Sequence, residues 1–505
     1  MLQHLKRLGT ETATYGVSTI VGRFLNFLLV PFYTNVLLPG EYGVVTYVYS
    51  IIAFVNVLYA YGMESAFFKY ASTREMGGEK QNFSTAFLSL ALTSAVLTLV
   101  VCGAKEPIGA ILRIPADALV IVYYSAGMLA FDTLSIIPFA ILRMEHRARQ
   151  FAAIKIVNIV INVVMNVVLL VYFRSGITGI FLSGFTASVV TFLILAPTIV
   201  RHLELHIRSG LLRALLRFGL PSIPAGLAAM AVQVIDRPIL RSLTDDATVG
   251  IYQANYRLGI FMMLIVQMYD YAWRPFYFAL AQTKDAKQVF ARVLTYLVLF
   301  MSLVFLLLLL FLDEVVHLQI FGRHLIHPGY WSGLPIVPVV LGGYFFLGVY
   351  TNISAGIYIE KKTIYLPFIT LFAAVINIVA NYLLIPSFGM AGAAWATFWA
   401  YLGMAAAGYA VVRKIYPVSY EWGRIAKILL ALAVVTGISY AGVGAVASPA
   451  LRIFAKIGLV ALFAGSLAAM RFFRAGELSA LTRLVRSGMP GGSDASTGTD
   501  SPGPV

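Results

Sequence analysis

Residues 151–200 read FAAIKIVNIVINVVMNVVLLVYFRSGITGIFLSGFTASVVTFLILAPTIV. Two apolar stretches, 151–173 and 177–200, are parted only by Arg174-Ser175-Gly176. Each is long enough to cross a hydrocarbon core as a helix, for which about 20 mainly apolar residues suffice. The pattern continues in both directions and gives fourteen spans, at approximately 12–38, 42–62, 83–104, 118–142, 151–173, 177–200, 217–240, 249–272, 290–312, 332–358, 363–385, 390–412, 425–446 and 452–473. Short polar punctuation separates them, such as Pro39-Gly40-Glu41 after the first and Glu360-Lys361-Lys362 after the tenth. Over 505 residues, 60% are hydrophobic and 12% charged, against about 45–50% and about 25% in soluble domains. Composition therefore excludes a water-soluble globular protein, and the expected fold class is an all-α polytopic membrane protein.

The net charge of +15 is explained by topology. Lys and Arg gather in cytoplasmic loops, and with the N-terminus inside they cluster there: Lys6 and Arg7, Lys69/Arg74/Lys80, Arg143/Arg147/Arg149/Lys155, Arg201/Arg208/Arg213/Arg217 and Arg413/Lys414/Arg424/Lys427. An even number of spans then places the C-terminus inside as well, and no nucleic-acid partner is needed to account for the charge. Lys6 and Arg7 before an apolar run resemble a signal peptide, but the run is long and Arg23 interrupts it, so a retained first helix is expected. The linker 201–217 carries leucines at helical spacing among arginines, the pattern of an interfacial helix on an anionic leaflet. Residues 475–505 form a cytoplasmic tail, expected to be disordered from about 487, where small polar residues, Gly and Pro predominate.

The chain repeats itself. Asn162-x-x-x-Asn166 precedes Gly176-Ile-Thr-Gly179, and Asn377-x-x-x-Asn381 precedes Gly389-Met-Ala-Gly392. Glu41-Tyr42-Gly43-Val44-Val45-Thr46-Tyr47 likewise answers Thr248-Val249-Gly250-Ile251-Tyr252-Gln253-Ala254. Residues 1–200 and 218–412 thus read as two six-helix lobes joined by the linker 201–217, with helices 13 and 14 appended over 413–474. Each lobe has an even number of spans, so a two-fold axis along the membrane normal relates them.

Enzyme motifs are absent: there is no Walker A, no G-x-S-x-G and no H-E-x-x-H. The single cysteine, Cys102, lies in an apolar run. His202/His206 on the linker and His317 with His324/His327 in an outer loop are read as ordinary solvated or interfacial histidines, so no metal and no cofactor is expected. What remains is charge within spans, costing about 2.5–3.5 kcal/mol per residue at the bilayer centre. Arg23 lies midway along the first span, Arg257 near the middle of the eighth and Asp132 near the middle of the fourth. Asp236-Arg237-Pro238 stands toward the outer end of the seventh, and Glu64, Asp270 and Glu360 mark cytoplasmic ends. Arg23 and Arg257 either face a water-filled cavity or pair with Asp132 or Asp236. Guanidinium forks bind phosphate oxygens in bidentate fashion and stay charged in a low dielectric, so two of them facing one cavity suit a pyrophosphate. Tyr252, Tyr256, Tyr269, Tyr271 and Asn255 nearby suit sugars, or else serve helix packing and the interfacial belt. Spans 13 and 14, small and aliphatic along most of their length, offer a dry groove for a polyprenyl tail.

The stretch from Arg23 through Pro31-Phe-Tyr-Thr-Asn35 to Pro39-Gly-Glu-Tyr-Gly43, the segment Asp236-Arg237 with Val249-Gly250-Ile251-Tyr252, and Asn377-Ile-Val-Ala-Asn-Tyr-Leu-Leu-Ile-Pro-Ser-Phe-Gly-Met-Ala-Gly-Ala-Ala394 resemble the Wzx-type polysaccharide (O-antigen) flippases. That family sits in the MOP superfamily with the lipid II flippase MurJ and the MATE drug exporters, and the resemblance covers about residues 1–475. It implies two rocking lobes about a central cationic cavity in the bacterial inner membrane. The cargo it implies is an undecaprenyl-pyrophosphate-linked oligosaccharide, with a polysaccharide polymerase as a possible partner. By position Arg23 and Arg257 match the arginines that the family places on the substrate's charged head, and Arg237, Asn255 and Tyr256 join them as candidate binding residues. Asp132, Asp236 and Glu64 are the candidates for coupling to H+ or Na+. A MATE-like exporter of cationic drugs is the transporter alternative, for which an acidic cavity is expected. A membrane-embedded glycan-transfer enzyme is the alternative of another class, although the outer loops are short for it.

Overall fold

In lipid a backbone must satisfy its own polar groups, which leaves the helix as the form open to these apolar segments. The computed structural model describes residues 22, 27–281, 283–320, 322–442 and 448–473. Thirteen helices among them are long and apolar enough to cross a membrane, and a shorter apolar helix precedes these. In chain order they are α1 Phe27–Val36, α2 Pro39–Thr73, α3 Glu79–Gly103, α4 Ala116–Met144, α5 Ala148–Tyr172, α6 Gly176–His202, α7 Ser209–Val234, α8 Asp246–Leu280, α9 Ala286–Leu310, α10 Pro328–Ile359, α11 Tyr365–Phe388, α12 Met390–Ile415, α13 Trp422–Gly442 and α14 Ala450–Ala469. Among the described residues, strand is confined to a two-residue antiparallel ribbon, Gln319–Ile320 with Arg323–His324, in the α9–α10 loop. The chain is an all-helical multi-pass membrane protein. Arg23, the earlier part of the first expected span, and the tail from residue 474 lie outside the described residues.

Two compact units divide the chain at Tyr420 and Glu421. In the second, α13 packs on α14, and Lys427 donates to the Met470 carbonyl at 2.8 Å. The guanidinium of Arg424 pairs with Glu421 at 2.9 Å and lies 4.5 Å from the Phe472 ring centroid.

Within the first unit the repeated sequence acquires repeated geometry. Gly176 and Gly389 both take φ +53°, where an L side chain is strained, and each turns the chain into its next helix. Asn166 donates back to the Asn162 carbonyl at 2.8 Å and to its side-chain oxygen at 2.9 Å. Asn381 does the same to Asn377, at 2.8 and 2.5 Å. The second repeat pair does more than match, because its two glycines meet. A Cβ on Gly43 would overlap the Asp246 carbonyl, and one on Gly250 would overlap the Pro39 carbonyl. The first turns of α2 and α8 therefore touch backbone to backbone, at the point where the axis relating the two motifs must run.

Other contacts seal the same end of the bundle. Tyr330 donates to the Leu37 carbonyl and Asn35 to the His324 carbonyl, each at 2.9 Å. Arg241, just beyond α7, donates to the Leu112 carbonyl at 2.6 Å, pairs with Asp246 and lies over the Tyr47 ring.

The linker departs from its reading as an interfacial helix. Residues 209–219 are helical and form the first part of α7. Their apolar face is covered by protein: Leu211 and Leu215 are buried in a cluster with Phe67 of α2, Phe83 and Phe87 of α3 and Ile141 of α4. A one-sided row of leucines reports an apolar neighbour without saying whether it is lipid or helix. α7 also stops earlier than expected, at Val234. Pro238 has no N–H to offer the Val234 carbonyl and its ring crowds that group, so the chain turns at Ile235 before helix resumes over Asp236–Leu243.

Candidate functional site

A cavity of about 780 Å³ opens below the seal, between the two repeats. The first half contributes Tyr33 of α1, Tyr42, Thr46, Tyr49 and Ser50 of α2, and Asn162 of α5. The second contributes Gln233 of α7, Arg237, then Gln253, Tyr256, Arg257 and Gln267 of α8, Tyr344 of α10, Thr370 of α11 and Tyr401 of α12. Among the described residues its lining holds two arginines and no carboxylate. Tyrosine hydroxyls and amides make up most of the remaining polar surface.

The two arginines are held differently. Arg237 is buried and firmly held: its guanidinium donates to Asp236 at 2.6 Å, to the Gln233 carbonyl at 2.5 Å and to Gln253 at 3.2 Å, and it lies 4.3 Å from the Tyr256 ring centroid. Asp236 is equally committed, its second oxygen accepting from Tyr252 at 2.5 Å. Charge-assisted bonds and a ring face thus neutralise a pair that would be costly in a low dielectric if left open. Arg257 is half-buried and makes no hydrogen bond or ion pair with another described residue. It opens a single 3₁₀ turn, Arg257–Gly259, that interrupts α8. Such a turn within a helix often marks a hinge.

The other sequence candidates lie in various places. Tyr256 lines the cavity and its hydroxyl accepts from Tyr344 at 3.2 Å. Asn255 is fully buried away from the lining and donates to the Ile251 and Tyr330 carbonyls at 2.8 Å. Asp132 faces α6, where it accepts from Ser188 at 2.7 Å, and among the described residues no basic group lies within 4.0 Å of it. Glu64 forms an ion pair with Arg143 between α2 and α4. The structure therefore brings Arg237, Tyr256 and Arg257 together, with Asp236 behind them, and leaves Asn255, Asp132 and Glu64 outside the cavity wall. Gln233, Gln253, Gln267, Tyr33, Tyr49, Tyr344 and Tyr401 escaped the sequence reading. Amides within apolar spans were the available signal for the first three, whereas tyrosines are too common in this chain to stand out.

Solved structures of membrane transporters share this helical arrangement. An inward-closed structure of the lipid II flippase MurJ is similar, with a TM-score of 0.68 and 14% identity over 91% of this chain and 99% of that one. An inward-facing multidrug resistance MATE family transporter of the MOP superfamily gives 0.63 and 16%, over 78% of this chain and 94% of that one. An outward-facing MATE family transporter gives 0.57 and 13%, over 80% and 95%. The fold is that of MOP-superfamily transporters and flippases. No curated protein sequence matches the chain. The profile of the polysaccharide biosynthesis protein family matches residues 34–323, and the chain belongs to that family.

Proposed function

We propose that this protein flips an undecaprenyl-pyrophosphate-linked oligosaccharide from the cytoplasmic to the outer leaflet of the bacterial inner membrane, with both termini in the cytoplasm. The observation that carries the reading is Arg257, a guanidinium with no hydrogen-bond or ion-pair partner among the described residues, in a cavity whose described lining has no carboxylate. A cavity of that charge favours an anionic head group over the cationic drugs of the exporter alternative. Tyrosines and glutamines around it offer ring faces and hydrogen bonds of the kind sugars take. Arg23 is the second cation on the head group in this reading, and Arg237, paired with Asp236, shapes the wall through Tyr256. Asn255 acts by positioning α8 against the start of α10. Asp132, with one oxygen bonded to Ser188 and no salt bridge to another described residue, is the preferred coupling residue for H+ or Na+. Asp236 and Glu64, already paired, are second choices.

Sealed proteoliposomes test this. A fluorescent undecaprenyl-pyrophosphate oligosaccharide is loaded, an ion gradient imposed, and leaflet accessibility followed with an external glycosidase. Transport by the wild type, with loss in Arg257→Ala and Arg23→Ala at unchanged folding, is the expected result. Full transport by Arg257→Ala would remove the cationic site. No transport by a folded wild type, with uptake of an organic cation instead, would favour the exporter. Asp132→Asn is expected to abolish the response to the gradient while leaving substrate binding intact; an undiminished gradient response would move coupling elsewhere.

A further inference from the structure

The ends of α3, α4 and α6 meet on the side of the bundle that carries the basic loops. There Glu79, Glu145 and His202 turn one ligand atom each toward a common point, all within 4.8 Å of one another. Glu79 is the first residue of α3, Glu145 caps α4, and His202 is the last residue of α6. The imidazole is almost wholly buried, its side chain 5% exposed, while the two carboxylates keep an edge in solvent.

The protonation of the ring is constrained from outside this group. Nδ1 of His202 lies 2.8 Å from the Thr198 carbonyl oxygen, which can only accept, so Nδ1 carries the proton. In the neutral ring Nε2 points its lone pair at Oε1 of Glu145, 3.1 Å away, and at Oε1 of Glu79, 3.8 Å away. Three acceptors facing one another are held together by a cation, which is either a second proton on the ring or a metal ion. The spacing suits a metal ion: bonds of about 2.0–2.2 Å at a tetrahedral angle separate neighbouring ligand atoms by about 3.4 Å, between the two distances found. The surroundings are also those that metal ligands need. A histidine bound through Nε2 commonly donates its other N–H to a carbonyl, and ligating carboxylates are themselves hydrogen-bonded. Here Arg147 holds the second oxygen of Glu145 at 3.2 Å and leaves Oε1 to the site. The Phe83 ring lies against the imidazole with centroids 5.4 Å apart.

We propose that Glu79, Glu145 and His202 bind one divalent transition-metal ion of the zinc type, with water in the fourth position on the solvent side. The site ties three helix ends of the first lobe together. It also fixes the root of the inter-lobe connection, because the chain leaves His202 directly for the linker, and Ser84 accepts from the Glu204 amide at 2.6 Å just beyond it. None of the three ligands lines the cavity, so the inference stands independently of the cargo.

The test uses the full chain, purified in detergent, stripped with a chelator and titrated with Zn²⁺ against a chromophoric chelator. One tightly held equivalent is expected in the wild type. Glu79→Gln and His202→Gln should each weaken it by about tenfold or more, whereas His206→Gln, on the exposed linker, should not. Co²⁺ in the same site should give the visible absorption of tetrahedral coordination, lost in the same two variants. Should His202→Gln fail to fold, Glu79→Gln decides, since its side chain is about one-third exposed and opens a helix. Absence of a stoichiometric ion in the folded wild type, or equal affinity in the wild type and Glu79→Gln, would overturn the proposal. The first of these results would assign the second imidazole proton, in place of a metal, as the cation.

Discussion

Asp236→Ala should destabilise the protein by about 3–5 kcal/mol, the range for removing one partner of a buried ion pair. The loss exceeds that of one hydrogen bond because of what stays behind. Arg237 is 6% exposed, cannot give up its proton, and loses the carboxylate it pairs with, while the Tyr252 hydroxyl loses its acceptor. Tyr252→Phe, which removes one donor and strands no charge, should cost about 1 kcal/mol. Removing both charges in Asp236→Ala/Arg237→Met should recover much of the loss, as buried pairs replaced by apolar groups commonly do. Thermal unfolding in one detergent provides all the values, and a double-mutant cycle extracts the coupling. If Asp236→Ala and Tyr252→Phe cost the same, the pair is not the anchor that its geometry describes.

Gly43→Ala should act on conformation more than on folding. Its methyl group would occupy the position of the Asp246 carbonyl oxygen, a backbone atom that no rotamer change can move. α2 and α8 must separate at that end, and overpacking of this kind costs about 1–3 kcal/mol. The cost falls only on states in which the two helix starts touch, so states open at that end gain a factor of about 5 to 150 in population. A cysteine at Thr46, in the cavity wall just past the seal, reports this in a background carrying Cys102→Ser. Its reaction with a membrane-impermeant thiol reagent added from the sealed side should accelerate by that factor. Gly250→Ala should reproduce the effect through the Pro39 carbonyl. Unchanged labelling in both variants would mean that closure lies elsewhere.

The fold was legible because membrane spans are read from length and apolar content, and both are extreme here. The repeat was legible for the same reason that it is structural: the Asn-x-x-x-Asn and Gly-x-x-Gly patterns carry specific hydrogen bonds and a positive φ. That the two repeats touch at Gly43 and Gly250 was not, since similarity between motifs says nothing of the distance between them. The site was half legible. Arg257 stands out as charge in an apolar span, but Asn255, two residues earlier in α8, projects onto another face and serves the packing of α10. Arg237 appears equally free in one dimension, whereas its neighbour Asp236 folds back onto it. Glu79, Glu145 and His202 are far apart in sequence, without the short spacing that betrays a metal site.

The contact between Gly43 and Gly250 also sets a timetable for biogenesis. α3, α4, α5 and α6 find their main partners among themselves and are all made by residue 202, whereas α2 packs most extensively on α8. About 200 residues separate the two glycines, so at synthesis rates of about 5–20 residues per second α2 waits about 10–40 s in the bilayer for its counterpart. During that interval the polar groups along α2 that later line the cavity, Thr46 and Ser50 among them, have no second lobe to shelter them. Insertion of this protein thus contains a vulnerable intermediate, a half-built bundle with its future cavity wall turned to lipid.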